Sequence, residues 1–286
     1  MSMNIAMAAD VYYKDQLEVA MKSIMLHNRN IHFFLLNKDF SAEWFEEMNR
    51  YLQDFDSDIV DCKIKSDYYK EFSTNAYITE ATFYRYHIPE FIEGEKALYL
   101  DVDLIVTENL RPFYDTDIRE VGLAAVLDVG APFLHGINEF NAGVLLINLE
   151  KWREKKVLEA ALEIHRDSQI TLLNADQTVL NILFEGEWLE LSDAYNHQVF
   201  AEFPYVRRHN PAKKSPIIHY TTSVKPFTKF HKKLKGMVSL LIKHRKITLS
   251  EFIRYLYKIP LADEWNQVAQ MTWTEVRNSQ HESHKN

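Results

Sequence analysis

An α/β protein built round a mainly parallel sheet is the fold class this sequence predicts, and three features point to it. Short apolar runs alternate with amphipathic stretches through the first half of the chain. Segments of helical length separate those runs, as parallel strands require. The chain has 286 residues, 47% of them hydrophobic and 26% charged, enough to bury a sizeable core around such a sheet.

Residues 4–9 read as a buried strand, 15–27 as a helix with Leu17, Ala20, Met21 and Ile24 on its apolar side, and 31–36 as the strand completing a β-α-β opening. A second amphipathic helix is expected over 42–52 and a third strand over 59–64. The segment 79–87, with Ala81, Phe83, Tyr84 and Tyr86, reads as helical and is expected to stop before Pro89. Residues 96–100 form a short apolar strand that runs into Asp101-Val102-Asp103, followed by a further apolar run over 104–106. Strands are expected at 121–127 and 143–149, a helix over 150–165, and another opening at Asp176, with Asn174 or Asp176 as its cap. Beyond Lys225 the composition turns basic and aromatic, with helical periodicity at 237–242 and 249–257 and a frayed end over 278–286. The expected division is a catalytic domain over 1–224 and a basic helical C-terminal extension over 225–286.

A single cysteine, Cys62, excludes an intrachain disulfide and a Cys-based metal site, which suits a reducing compartment. No apolar run approaches the length of a membrane span, and the first residues lack a basic leader, so the expected location is the cytoplasm. The formal net charge of −8 argues against a nucleic-acid partner. Eight Lys and Arg and no acid lie in 225–246, so the rest of the chain carries 25 − 41 = −16. Such a basic segment around an apolar patch fits peripheral contact with an anionic inner leaflet. With seven glycines and no G-x-G-x-x-G or P-loop, a bound nucleotide would need a metal to meet its phosphate charge.

In an open parallel sheet, ligands gather at the carboxyl ends of the strands, where Asp101 and Asp103 are placed. Aspartates two apart on a regular strand point to opposite faces, so both serve one site only where the backbone turns. Two close carboxylates repel, and a hard divalent cation relieves the repulsion. Further polar groups border other apolar runs: Asn141 before 144–148, Asp176 and Gln177 at a helix start, and His219 after Ile217-Ile218, with Lys225 following. His219 could complete the metal site and Lys225 could meet a phosphate. The alternative for each is a structural role, as a solvated loop acid, a turn amide, a cap or a core-edge imidazole.

Taken together, residues 5–10 (IAMAAD), 82–85 (TFYR), 97–103 (ALYLDVD), 140–152 (FNAGVLLINLEKW), 174–181 (NADQTVLN) and 219–227 (HYTTSVKPF) resemble glycosyltransferase family 8. The stretches fall in the family's order, and the family comprises retaining sugar-nucleotide transferases. The resemblance implies a GT-A fold, Mn²⁺ or Mg²⁺ held by Asp101, Asp103 and His219, and a UDP-hexose donor. It places Ala8, Asp10, Tyr13, Ile78 and Val102 at the nucleoside, with Tyr12 standing where the family often has Asn. It also implies that Lys225 and the loop containing Thr222, where the family often has Gly, face the diphosphate. Arg85, Asp128, Asn141, Ala142, Asp176 and Gln177 match positions around the hexose, with Asp128, Asp176 and Gln177 as the catalytic candidates. The acceptor it implies is a saccharide, lipopolysaccharide or glycoprotein glycan. FNAGVLLINLEKW is similar to bacterial galactosyltransferases, which favours galactose over glucose. The competing readings are a haloacid-dehalogenase-type phosphohydrolase, from the strand running into D-x-D, and a glycan-binding homologue without turnover.

Overall fold

The computed structural model describes residues 2–65, 68–69, 72, 79–200, 211, 213–221, 225–228 and 259–283. Ile78, Thr222, the basic segment beyond Thr228 and the helices expected at 237–242 and 249–257 lie outside those residues.

Among the described residues, seven strands form the main sheet: β1 (Met3–Ala8), β2 (Ile31–Asn37), β3 (Asp58–Lys63), β4 (Lys96–Leu100), β6 (Leu123–Leu127), β7 (Phe140–Asn148) and β8 (Trp188–Glu190). Their order is β3-β2-β1-β4-β7-β6-β8. The first four are parallel to one another, and β6 is parallel to β8, so the expected sheet is present. β7 departs from the pattern by running antiparallel to both β4 and β6. All nine of its residues are buried, which leaves no polar alternation to betray its direction. It also begins at Phe140, ahead of the expected Gly143.

Side chains on the two sheet faces feed separate apolar cores, and this alternation is visible along β1. Met3, Ile5 and Met7 join a core with α1 (Lys14–His27) and α2 (Ala42–Leu52), whereas Ala6 and Ala8 join one with α7 (Val157–Arg166) and α8 (Asp176–Leu183). Asn28 closes α1 by donating from Nδ2 to Ile24 O at 2.8 Å, and Ser41 Oγ caps α2 at Trp44 N.

Two short helices, α4 (Arg111–Tyr114) and α5 (Ala131–Leu134), lie on either side of β6 in the chain, and other elements differ from expectation. Pro89 does not end the helical segment: a 3₁₀ helix, Glu80–His87, passes into α3 (Ile88–Phe91), where proline is tolerated in the first turn. The helix expected over 150–165 breaks into α6 (Leu149–Glu154) and α7, because Lys156 adopts a left-handed conformation with φ 48°. Ala175, not Asn174 or Asp176, occupies the cap of α8, and no side chain caps it. The C-terminal residues do not fray at 278. Two helices, α9 (Ala262–Gln270) and α10 (Trp273–Ser283), follow the undescribed stretch and pack on α1. Trp273 stacks on Tyr51 at 5.6 Å and joins the first core, and buried Gln280 donates to Asn28 O at 2.8 Å.

A second, three-stranded sheet positions the site. β10 (Ile217–His219) pairs antiparallel with β5 (Leu104–Val106) and parallel with β9 (His197–Gln198). The register sets His219 opposite Leu104, and Tyr220 N donates to Asp103 O at 3.0 Å.

Candidate active site

β4 ends at Leu100, and the chain bends through Asp101-Val102-Asp103 before β5 begins. The Asp101 N–H donates to Gly143 O at 2.8 Å, extending the pairing with antiparallel β7. That orientation carries the start of β7, with Asn141 and Ala142, to the carboxyl end of β4. The β10–β5 pairing brings His219 to the same place from the other side.

One ligand atom from each of Asp101, Asp103 and His219 lies within 4.8 Å of the others. His219 Nε2 stands 3.1 Å from Asp103 Oδ1 and 3.8 Å from Asp101 Oδ2. Asp103 Oδ1 is buried and accepts no hydrogen bond. The approach is made possible by Gly143, where a Cβ would lie 2.3 Å from His219 Cε1 and 2.6 Å from Asp101 Oδ2. Two hard oxygens, one of them a buried carboxylate oxygen that accepts no hydrogen bond, and one imidazole fit a divalent cation such as Mn²⁺ or Mg²⁺.

The charges around this cluster are arranged in two pairs. Lys225 is ion-paired through Nζ with Asp103 Oδ2. Burial would raise the Asp103 carboxyl, but Lys225 and His219 outweigh it and hold the group well below the usual carboxylate range. Burial would likewise lower Lys225, and Asp103 reverses the direction. Arg85, 4% exposed, forms the second pair by placing Nη2 3.0 Å from Asp101 Oδ1 and Nε 3.0 Å from Asp176 Oδ2. Its guanidinium also donates to Ala142 O and lies 4.4 Å over the Tyr99 ring. Burial pushes the Asp176 carboxyl up to about 6 against the pull of Arg85, with Asp101 adding to the rise. Tyr99 is held well above its ordinary range by burial and stays a hydroxyl, donating to Asp101 Oδ1 at 2.8 Å.

These groups line a cavity of about 410 Å³, within the size range of small-ligand sites. Its walls include Ala8, Asp10 and Tyr13, which end or follow β1, Val102 between the two acids, and Asn141, Ala142, Asp176 and Gln177. Asp10 caps the 3₁₀ turn Val11–Tyr13 by accepting from Tyr12 N at 3.0 Å, and burial raises its carboxyl. Tyr12 itself is 89% exposed.

Asp128 stands one layer behind this wall. Its Oδ1 accepts from Gly130 N and Ala131 N, and its Oδ2 accepts from Asn141 Nδ2 and Gln177 Nε2. Gln177 is held from both ends of its amide: Oε1 accepts from Asn141 Nδ2 and Ala142 N, each at 3.2 Å, and Nε2 also donates to Glu139. The sequence reading missed Glu139, which gathers Asn174, Gln177 and Thr178, and Asn196, which holds His219. Neither sits at the end of an apolar run or in a stretch carrying the resemblance, except that Glu139 directly precedes Phe140.

The family model described as glycosyl transferase family 8 matches residues 4–230. Glycosyltransferase GlyA of Streptococcus pneumoniae is 39% identical over 228 residues, 78% of this chain and 32% of that protein. Glycosyltransferase GlyE of the same organism is 36% identical over 235 residues, 79% of this chain and 57% of its own length. The chain therefore spans only about a third to somewhat over half of these relatives. The GlyE crystal structure superposes with a TM-score of 0.75 at 29% identity, covering 99% of this chain and 64% of that one. A crystal structure of the galactosyltransferase LgtC with donor and acceptor sugar analogs superposes with a TM-score of 0.72 at 25% identity, covering 97% of this chain and all of that one.

Proposed function

The chain belongs to glycosyltransferase family 8, and on that premise we propose that it moves a hexose from a UDP-sugar to an acceptor hydroxyl, retaining the α configuration. The observation that carries this reading is the Asp101–Asp103–His219 cluster, set in a cavity whose walls also include Asp10, Tyr13, Asp176 and Gln177. In the donor pose proposed, uridine lies against Asp10 and Tyr13, the diphosphate at the cluster and the hexose against Asp176.

Asp101, Asp103 and His219 would hold the cation, for which Mn²⁺ is our choice. When bound, it offsets negative charge gathering on the departing diphosphate. Lys225, already beside Asp103, would supply a second positive contact to the same diphosphate. In the reaction proposed, the bond from the anomeric carbon to the phosphate oxygen breaks as the acceptor oxygen bonds to that carbon on the same face. The departing phosphate takes the acceptor's proton, so no side chain need donate one. The engagement of Gln177 Oε1 by two donors supports this front-face course, because an amide oxygen committed to Ala142 N–H and Asn141 is poorly disposed to attack. Asp128 and Asn141 then hold Gln177 in place beside the sugar, and Asp176 takes a sugar hydroxyl.

Galactose is the hexose proposed, supported by the likeness of 140–152 to bacterial galactosyltransferases and by the LgtC superposition. The acceptor proposed is a bacterial surface or protein-linked glycan, as the resemblance to family 8 implies, and the relatives named glycosyltransferases are bacterial. Among the described residues no helix is long and apolar enough to cross a membrane. Cytoplasmic action, with the basic residues beyond Thr228 resting on an anionic leaflet, completes the proposal, and Lys225 is counted with the catalytic domain because it pairs with Asp103.

The test is a panel of UDP-sugars with Mn²⁺, scored by UDP release. Release from UDP-galactose above UDP-glucose supports the donor assignment, and release from neither refutes it. Replacing Lys225 with Ala should lower kcat roughly 10²-fold while changing KM little, because charge on the diphosphate peaks as the bond breaks. Steady-state kinetics check this, and an effect confined to KM would refute the role.

A further inference from the structure

The His219 ring is held by a chain of amides whose orientation starts from a backbone group. The Gly143 N–H can only donate, and it meets Asn141 Oδ1 at 3.1 Å, which fixes that atom as an acceptor. Asn196 directs its Nδ2 at the same oxygen, 2.8 Å away. Its own Oδ1 is thereby turned toward His219 Nδ1, at 3.0 Å. An amide oxygen can only accept, so the proton of a neutral His219 ring resides on Nδ1. Nε2 is left with a lone pair facing Asp101 and Asp103.

We propose that Asn196 is a positioning residue that keeps the His219 proton on Nδ1, so that Nε2 is available to ligate a divalent cation. The proposal rests on reading Asp101, Asp103 and His219 as the cation site. The surroundings make such a device necessary. Asp103 Oδ1 lies 3.1 Å from Nε2 and accepts no hydrogen bond, so without Asn196 the neutral ring would place its proton on Nε2, toward the carboxylate. That proton would occupy the lone pair a cation needs. Asn196 is 1% exposed and His219 3% exposed, so solvent is poorly placed to replace the lost acceptor at Nδ1. Asn141 anchors the chain and also reaches Asp128 and Gln177 through its Nδ2, so one amide braces both the cation ligand and the sugar side of the cavity.

The experiment measures Mn²⁺ binding directly, by electron paramagnetic resonance of the free ion, in the wild type, Asn196→Ala, Asn196→Asp and Asp103→Asn. Loss of the amide in Asn196→Ala should weaken Mn²⁺ binding by about 10–100-fold, the usual range for removing a partner that orients a metal-bound histidine. Asn196→Asp retains an acceptor for Nδ1–H but loses the amide that donates to Asn141 Oδ1, so it should bind Mn²⁺ more tightly than Asn196→Ala without reaching the wild-type affinity, a partial rescue that loss of packing alone would not give. Long-range ¹H–¹⁵N correlation of metal-free protein should find His219 Nδ1 protonated in the wild type and Asn196→Asp, and bare in Asn196→Ala at a pH where the ring is neutral. The wild-type spectrum decides the matter even if Asn196→Ala fails to fold. Wild-type Mn²⁺ affinity in Asn196→Ala, or a bare Nδ1 in the wild type, overturns the proposal while leaving the cation site intact. Undiminished Mn²⁺ binding by Asp103→Asn instead overturns the site reading on which the proposal rests.

Discussion

Changing Asp103 to Asn is expected to lower kcat/KM by about 10³-fold or more, since a bound cation supplies several kcal/mol of charge stabilisation in the transition state and each 1.36 kcal/mol is tenfold in rate. The substitution keeps the side-chain shape and removes the charge. It also separates two effects. Lys225 loses the carboxylate it pairs with, which costs some stability in the metal-free protein, whereas the cation loses a ligand. Added Mn²⁺ should therefore raise the melting temperature of the wild type and leave that of Asp103→Asn unchanged, because only a bound ligand shifts the folding equilibrium. Thermal unfolding with and without Mn²⁺, alongside the kinetics, checks both. Equal stabilisation of the two proteins would contradict the assignment.

Replacing Arg85 with Leu should give the largest loss of stability of any single change at the site, about 3–5 kcal/mol at neutral pH, the range for removing one partner of a buried ion pair. Arg85 is the buried cation between Asp101 and Asp176, and its removal leaves Asp176 at 6% exposure with no charge partner. The pH dependence has a definite sign. Burial already pushes Asp176 up to about 6 in the folded protein, and without Arg85 it rises further. A carboxyl raised on folding is better accommodated protonated, so its unfavourable contribution grows as pH rises through the folded value and shrinks as pH falls. The difference from wild type should be greater at pH 7.5 than at pH 5. Denaturant unfolding at both values measures it, and a pH-independent difference would show that the lost contacts to Ala142 O and the Tyr99 ring dominate instead.

The cation cluster was legible because each of its parts borders an apolar run: Asp101 and Asp103 follow β4, and His219 ends β10. Hydrophobic patterning places such residues at sheet ends, and hard-ligand chemistry narrows their use. Direction was not legible. A nine-residue strand buried on both faces looks the same whichever way it runs, so the reversal of β7 that brings Asn141 to Asp101 emerged only from pairing. Nor could the residues that hold others in place be read from sequence. Asn196 in a 3₁₀ turn and Glu139 ahead of β7 are ordinary polar residues until distant partners are brought against them. Lys156 breaks a helix with a left-handed conformation that its residue type does not announce. The polar tail after Asn278 suggested fraying, but α10 is secured by two contacts to far-off residues, Gln280 to Asn28 and Trp273 to Tyr51.

In the mechanism proposed, UDP-sugar cleavage at this cluster depends on a divalent cation. That dependence is tested most directly by following UDP release from UDP-galactose by the wild-type protein as Mn²⁺ is titrated from an EDTA-stripped start. The expected result is no release without metal and a saturable rise as Mn²⁺ is added. Release at full rate in EDTA would contradict the claim.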